Sequence, residues 1–238
     1  MALYHHHIPR TSGLHIRDSI NTLFQTNGIK SNSFYLNYPV NSEIIKDSHF
    51  ISGHLANYPS TVLDNLKSFT IVRDPIERFI SWFFYLYGNS MPHNELINIF
   101  NSWLYDKDMS DTLSNIQTKF LTGTLNIEGY NKKQGAFEKN ANGWYVIDYN
   151  YDHDYILEKI ESISCYTVEN RDMLLDDINN YLFNHYGLGP IFNKRFKYNP
   201  STKDRFEITD KMINRITELN QHDIFLYESV KAYKPKTL

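Results

Sequence analysis

Four β-prone residues, Phe69-Thr-Ile-Val, run straight into Arg73-Asp-Pro-Ile-Glu77, and this junction constrains the fold more than any other stretch. Branched and aromatic side chains favour a strand. Asp74 is a good helix N-cap, Pro75 suits the first helical position, and Glu77 sits where a capping-box acid reaches back. The junction therefore predicts a strand, a tight turn and a helix. Along that helix Ile76, Phe79, Ile80, Phe83, Phe84 and Tyr87 recur at helical spacing, with Asp74, Arg78, Ser81 and Tyr85 on the other side.

A second junction near the N-terminus has the same form. Tyr4 to Ile8 reads as a short strand, a small-residue turn follows, and Ile16, Ile20, Leu23 and Phe24 repeat at helical spacing until Asn27-Gly28 stops them. Ser33 to Tyr38, His49 to Ser52 and Ser164 to Val168 are further strand candidates. Helices are expected at about 94 to 105, 111 to 121, 153 to 162, 171 to 186 and 207 to 219. Strands alternating with helices predict an α/β fold of three layers, a mainly parallel central sheet flanked by helices. Ligands of such sheets bind beyond the carboxyl ends of the strands, which directs attention to the turns at 9 to 15 and 73 to 81. With 238 residues and no repeat or linker-like tract, one domain over 1–238 is the expected organisation.

Charge narrows the partners. A formal net charge of −3 removes the electrostatic warrant for a nucleic-acid or anionic-membrane partner, so an anion site has to be local. No apolar run approaches the ~20 residues of a membrane span. The N-terminus lacks the basic and long apolar regions of a secretory signal, and the single cysteine, Cys165, fits a reducing compartment; a cytoplasmic location is expected. No carboxylate pair or His/Cys spacing stands out as a metal site, and none is expected.

In the first turn, His7-Ile-Pro-Arg-Thr-Ser-Gly-Leu-His15, a strand ends and a helix opens. Backbone N–H groups and the positive end of the helix dipole then converge on one spot that suits an anion. Arg10 adds a fixed positive charge, Thr11 and Ser12 add hydroxyl donors, and Gly13, Leu14 and His15 complete the loop. The pattern G-x-x-x-x-G-K-[ST] is absent, which counts against an ordinary NTPase.

These residues resemble a known family. His7 to Arg17 resembles the H-x-P-K-T-G-G-T-S phosphosulfate loop of sulfotransferases that use 3'-phosphoadenosine 5'-phosphosulfate (PAPS), in particular carbohydrate enzymes of the heparan sulfate 2-O-sulfotransferase type. Arg10 stands where the family has lysine, and Leu14-His15 replaces small hydroxyl residues. Arginine keeps the charge but does not deliver a proton at neutral pH. Thr70 to Tyr85 resembles the 3'-phosphate motif V-x-R-D-P-x-x-R-x-x-S more closely, with Arg73 and Ser81 in the binding positions. The resemblance implies a P-loop-like sulfotransferase fold. It also implies that PAPS is the donor, that adenosine 3',5'-bisphosphate (PAP) is the product, and that no metal takes part.

Gly53-His54 resembles the strand end whose histidine is the proposed general base in these relatives, and histidine suits that task by its near-neutral unperturbed pKa. His54 and Arg10 are thus the expected catalytic residues, with His7 and His15 as alternative bases and His5 and His6 structural. Asn115-Ile-Gln-Thr-Lys-Phe-Leu is similar to the family's N-x-Q-T-R-x-L segment, expected near the acceptor, and Asp223-Ile-Phe-Leu-Tyr to its terminal D-x-x-L-Y. Lys194, Arg195 and Lys197, with Lys203 nearby, form a late basic loop of the kind that closes over the nucleotide in relatives. Lys132, Lys133 and Lys139 sit in a Gly/Asn-rich stretch that reads as a surface loop. The implied function is sulfuryl transfer to a hydroxyl, on a carbohydrate. The alternatives are a non-catalytic nucleotide- or glycan-binding protein on the same fold and an atypical P-loop kinase.

Overall fold

The computed structural model describes residues 1–34, 40–88, 91–125, 146–191 and 206–238. Its central sheet has five parallel strands: β1 (Ala2–His6), β2 (Ser31–Phe34), β3 (Phe50–Gly53), β4 (Leu66–Val72) and β7 (Ser164–Thr167), in the spatial order β2-β3-β1-β4-β7. A small antiparallel ribbon pairs β5 (Thr124–Leu125) with β6 (Val146–Ile147). The described helices are α1 (Gly13–Thr26), α2 (Ser42–Lys46), α3 (Tyr58–Val62), α4 (Pro75–Tyr87), α5 (His93–Tyr105), α6 (Lys107–Leu113), α7 (Ile116–Thr122), α8 (His153–Ser162), α9 (Arg171–Tyr186), α10 (Asp210–Leu219) and α11 (Gln221–Ala232).

Helices cover both faces of the sheet, and β1, β3 and β7 are buried along their whole length, including the polar residues His5, His6, Ser52 and Thr167. On one face Leu3, Phe50, Phe69, Ile71 and Tyr166 pack with Ile16, Ile20 and Phe24 of α1 and with Leu174, Ile178 and Leu182 of α9. On the other, Val72 and Cys165 join Phe79 and Phe83 of α4, Trp103 of α5, Phe120 of α7, Ile156 of α8 and Leu226 of α11. The three-layer α/β architecture with a mainly parallel sheet is thus present as the sequence predicts. Among the described residues no helix is long and apolar enough to cross a membrane.

Several boundaries differ from expectation for identifiable reasons. The helix expected at 111 to 121 is two helices, because Asn115 adopts φ 49° and breaks the ladder between α6 and α7. The helix expected at 207 to 219 begins at Asp210, capped by the Thr209 hydroxyl. A further helix, α11, follows it with only Asn220 between them. β1 ends at His6, two residues before the expected Ile8, and β2 occupies 31 to 34; the remainder of the strand expected over Ser33 to Tyr38 lies outside the described residues.

Strand order locates the crevice. From β1 the chain moves through α1 to β2 on one side, whereas from β4 it moves to β7 on the other. Connections that leave two adjacent parallel strands in opposite directions open a cleft at their carboxyl ends, the usual ligand position in such sheets. The two turns singled out from sequence follow these two strands.

Candidate functional site

The turn after β4 forms as its residues dictate. The Asp74 carboxylate accepts from the Glu77 N–H at 2.9 Å and Pro75 opens α4. Glu77 does not complete the expected capping box; its carboxylate turns to Arg73, accepting from one terminal guanidinium nitrogen at 2.9 Å and from Nε at 3.3 Å. Arg73 itself is buried, and its other terminal nitrogen reaches the Arg10 carbonyl at 3.5 Å.

The side of α4 that the sequence presents as polar is mostly covered. Ser81 is 2% exposed, with Arg10 on its hydroxyl, and Arg78 is fully buried against Asp223 of α11; Tyr85, one turn after Ser81, remains 67% exposed. Arg78 pairs with Asp223 at 4.0 Å, both out of solvent. Burial pulls its guanidinium down to about 10, against the opposing pull of Asp223.

The turn after β1 is built differently. Arg10 and Ser12 both adopt φ 68°, a left-handed conformation unusual for residues other than glycine. Ser12 is the N-cap of α1. Gly13 admits no side chain: a Cβ there would lie 2.5 Å from the His5 ring and 2.8 Å from that of His7. The start of α1 therefore rests directly on two imidazoles. Thr11 is buried and donates its hydroxyl to the Ile8 carbonyl at 2.8 Å, which braces the loop. Ser12, Leu14 and His15 are exposed.

The two turns meet. Arg10, half-buried, donates from Nε at 3.3 Å and from a terminal nitrogen at 3.1 Å to the Ser81 hydroxyl, and its guanidinium lies 4.5 Å over the Tyr85 ring. Burial, and to a smaller degree the charge of Arg73, hold the Arg10 pKa below its ordinary value, with Tyr85 opposing. Three residues chosen from sequence, Arg10, Arg73 and Ser81, thus form one cluster. The Arg10 guanidinium is held between the Ser81 hydroxyl and the Tyr85 ring.

His54 follows β3, the other neighbour of β1. Its ring is 4.8 Å from that of His7 and 6.1 Å from Phe120, and His7 in turn stacks 5.0 Å from His5. Burial first, then the positive charge of Arg17, lowers the His54 pKa to about 4, so its near-neutral unperturbed value does not carry over. Burial likewise takes His7 well below the ordinary value and His5 and His6 to about 3. His5 is tied to the Ser52 hydroxyl at 3.0 Å. The cation beside His54, Arg17, lies buried on α1 and was not singled out by sequence; a charged residue inside an apolar helical stripe was the available signal.

Gln117 of the N-x-Q-T segment lies against Arg73, while Phe120 of the same segment stands beside His54. Lys194, Arg195, Lys197 and Lys203, and likewise Lys132, Lys133 and Lys139, lie outside the described residues. Among the described residues no group of three or more His, Cys, Asp or Glu is arranged to hold a metal ion.

The sequence model of the Sulfotransferase family matches residues 15–125, rather less than half of the chain, from the first turn of α1 to β5. That stretch contains His54, Arg73, Ser81 and Gln117 and starts just after Arg10 to Leu14. No curated protein matches the chain.

Proposed function

We propose that this chain transfers a sulfuryl group from PAPS to a hydroxyl of a carbohydrate acceptor. One observation carries the reading: Arg10 and Ser81, 71 residues apart, touch, and Arg73 reaches the backbone of Arg10, so both turns contribute to one cationic cleft. Two guanidiniums held this close repel, and a bound dianion relieves them both. Arg73 would take the 3'-phosphate through its planar fork and Ser81 through a donated hydrogen bond. The first N–H groups of α1, on the positive end of its dipole, would face the 5'-phosphosulfate.

PAPS supplies the activated sulfuryl group; the chain positions it and manages one proton and one developing charge. His54, neutral above its depressed pKa, accepts the proton of the acceptor hydroxyl on a ring nitrogen as the new oxygen–sulfur bond forms. The bond from sulfur to the bridging phosphate oxygen breaks, and Arg10, turned from Ser81, meets the negative charge left on that oxygen. Anions brought beside His54 raise its pKa towards the range in which a base works. The carbohydrate class rests on the likeness of the His7 to Arg17 and Gly53-His54 segments to enzymes acting on glycans.

A second reading, binding of a 3'-phosphorylated nucleotide without transfer, is favoured by the position of Arg10 on Ser81 and by the low basicity of His54. Offering labelled PAPS with glycans, phenols, small alcohols and tyrosyl peptides separates the two. Label is expected on a glycan, and His54→Ala is expected to abolish this while PAP still binds. PAP binding with no acceptor labelled favours the second reading, label confined to a non-glycan overturns the acceptor class, and no PAP binding overturns both.

A further inference from the structure

The geometry points to Gln117 as the positioning residue of Arg73, held in turn by Asp223 from the far end of the chain. This rests on the reading that Arg73 carries the 3'-phosphate. Arg73 is the first residue after β4. Alternate residues of a parallel strand bond to opposite neighbours, and the Val72 carbonyl takes the Val168 N–H on the β7 side, so the N–H and C=O of buried Arg73 face the side of β1, whose pairing with β4 ends at His6 and Thr70. Gln117 meets both. Its Oε1 accepts from the Arg73 N–H at 2.8 Å and its Nε2 donates to the Arg73 carbonyl at 2.8 Å. A side-chain amide thereby extends the sheet by one residue and fixes the backbone from which the guanidinium projects.

Gln117 is itself fixed. It is fully buried in the first turn of α7, whose leading N–H groups have no partners within the helix. Asp223 of α11 supplies them, accepting from the Gln117 N–H at 3.1 Å and the Thr118 N–H at 2.7 Å. The capping is reciprocal. Asn115, which precedes α7, accepts through its side-chain oxygen from the His222 and Asp223 N–H groups at 3.0 and 3.2 Å, while its own N–H donates to the Asn220 side chain at 3.0 Å. Arg78, one turn into α4, closes the circuit on Asp223. Arg73 is thus gripped along its main chain from α7 and at its guanidinium from α4, through Glu77.

The circuit joins the N-x-Q-T and D-x-x-L-Y motifs, and their shared office is to set one arginine. A purely structural glutamine would weaken every ligand alike when removed, whereas a positioning one weakens the 3'-phosphate contact selectively.

Calorimetric titration of the full chain with PAP and with adenosine 5'-phosphate, which lacks the 3'-phosphate, provides the test. Wild type is expected to prefer PAP. Gln117→Leu is expected to reduce that preference by about tenfold, the scale on which supporting residues act, with affinity for adenosine 5'-phosphate little changed. Thr118→Val, a change of similar burial in the same turn, is expected to keep the preference. An unchanged preference in Gln117→Leu, or an equal loss for both ligands, overturns the inference. A wild-type chain that binds both ligands equally overturns the site reading and the inference with it. Where Gln117→Leu fails to fold, Gln117→Glu is read in the same way, since it keeps the bond to the Arg73 N–H and gives up the one to the carbonyl.

Discussion

The turns after β1 and β4 occupy equivalent places at the carboxyl edge of the sheet, yet they are held by opposite means. In the β4 turn local capping and remote side chains agree: Asp74 caps α4, Gln117 pairs the Arg73 backbone and Asp223 anchors Gln117. In the β1 turn Arg10 and Ser12 sit in left-handed conformations, and α1 begins on a layer of neutral, buried imidazoles. The first arrangement fixes one cation. The second leaves the Arg10 side chain on Ser81, where the anion of the proposed reading would compete for both. A recognition residue benefits from the first kind of support and a residue that follows charge during a reaction from the second.

Four changes sharpen or break this contrast, the largest first. Asp223→Ala strips α7 of its cap and leaves the Arg78 guanidinium buried without its carboxylate, and a loss of about 4 kcal/mol is expected in urea unfolding. A loss below about 1 kcal/mol would remove Asp223 as the anchor. Acid comes next, acting on the β1 side. His5 and His6 are fully buried with folded pKa values of about 3 against 6.5. Below 6.5 the unfolded chain binds protons that the folded chain refuses, so stability is full above that pH and falls on acidification. The two together are expected to cost about 3 kcal/mol by about pH 5.5; buried His7 and His54, whose pKa values are also lowered, add to the slope, so a His5→Phe variant should reduce it by about a quarter.

Arg73→Ala is expected to weaken PAP binding by about 2 kcal/mol, the worth of a charge-assisted pair, in calorimetry. The smallest pair is the most pointed. Ser12→Gly removes a left-handed penalty and should stabilise the chain by about 1 kcal/mol, whereas Asp74→Ala deletes a cap and should destabilise it by about the same amount. Equal signs in urea unfolding would show that the two turns are not supported differently.

What sequence made legible follows the same division. The β4 junction, α4, α8 and α9 were readable because caps, proline and apolar spacing act within a few residues of one another. Arg10, Arg73 and Ser81 could be chosen by pattern, although not that they would touch. The circuit through Gln117, Asn115 and Asp223 spans more than 100 residues of chain and leaves no local period to detect. The same distance concealed the burial of Arg78, which looks solvated until α11 is laid over it. The bond of Thr11 was hidden because a hydroxyl in a turn can serve the loop or a ligand, and only the fold shows the Ile8 carbonyl within reach. The continuous helical spacing from 111 to 121 likewise concealed the break at Asn115, which tertiary capping imposes.

The central claim is that the two turns together hold a 3'-phosphorylated nucleotide. Titrating the wild-type chain with PAP and with adenosine 5'-phosphate, without metal, tests it most directly. Binding of PAP at least about tenfold tighter than that of the monophosphate is the expected result, since Arg73 and Ser81 add a charge-assisted contact that only the 3'-phosphate can receive. Equal affinity for the two, or no binding of PAP, would contradict it.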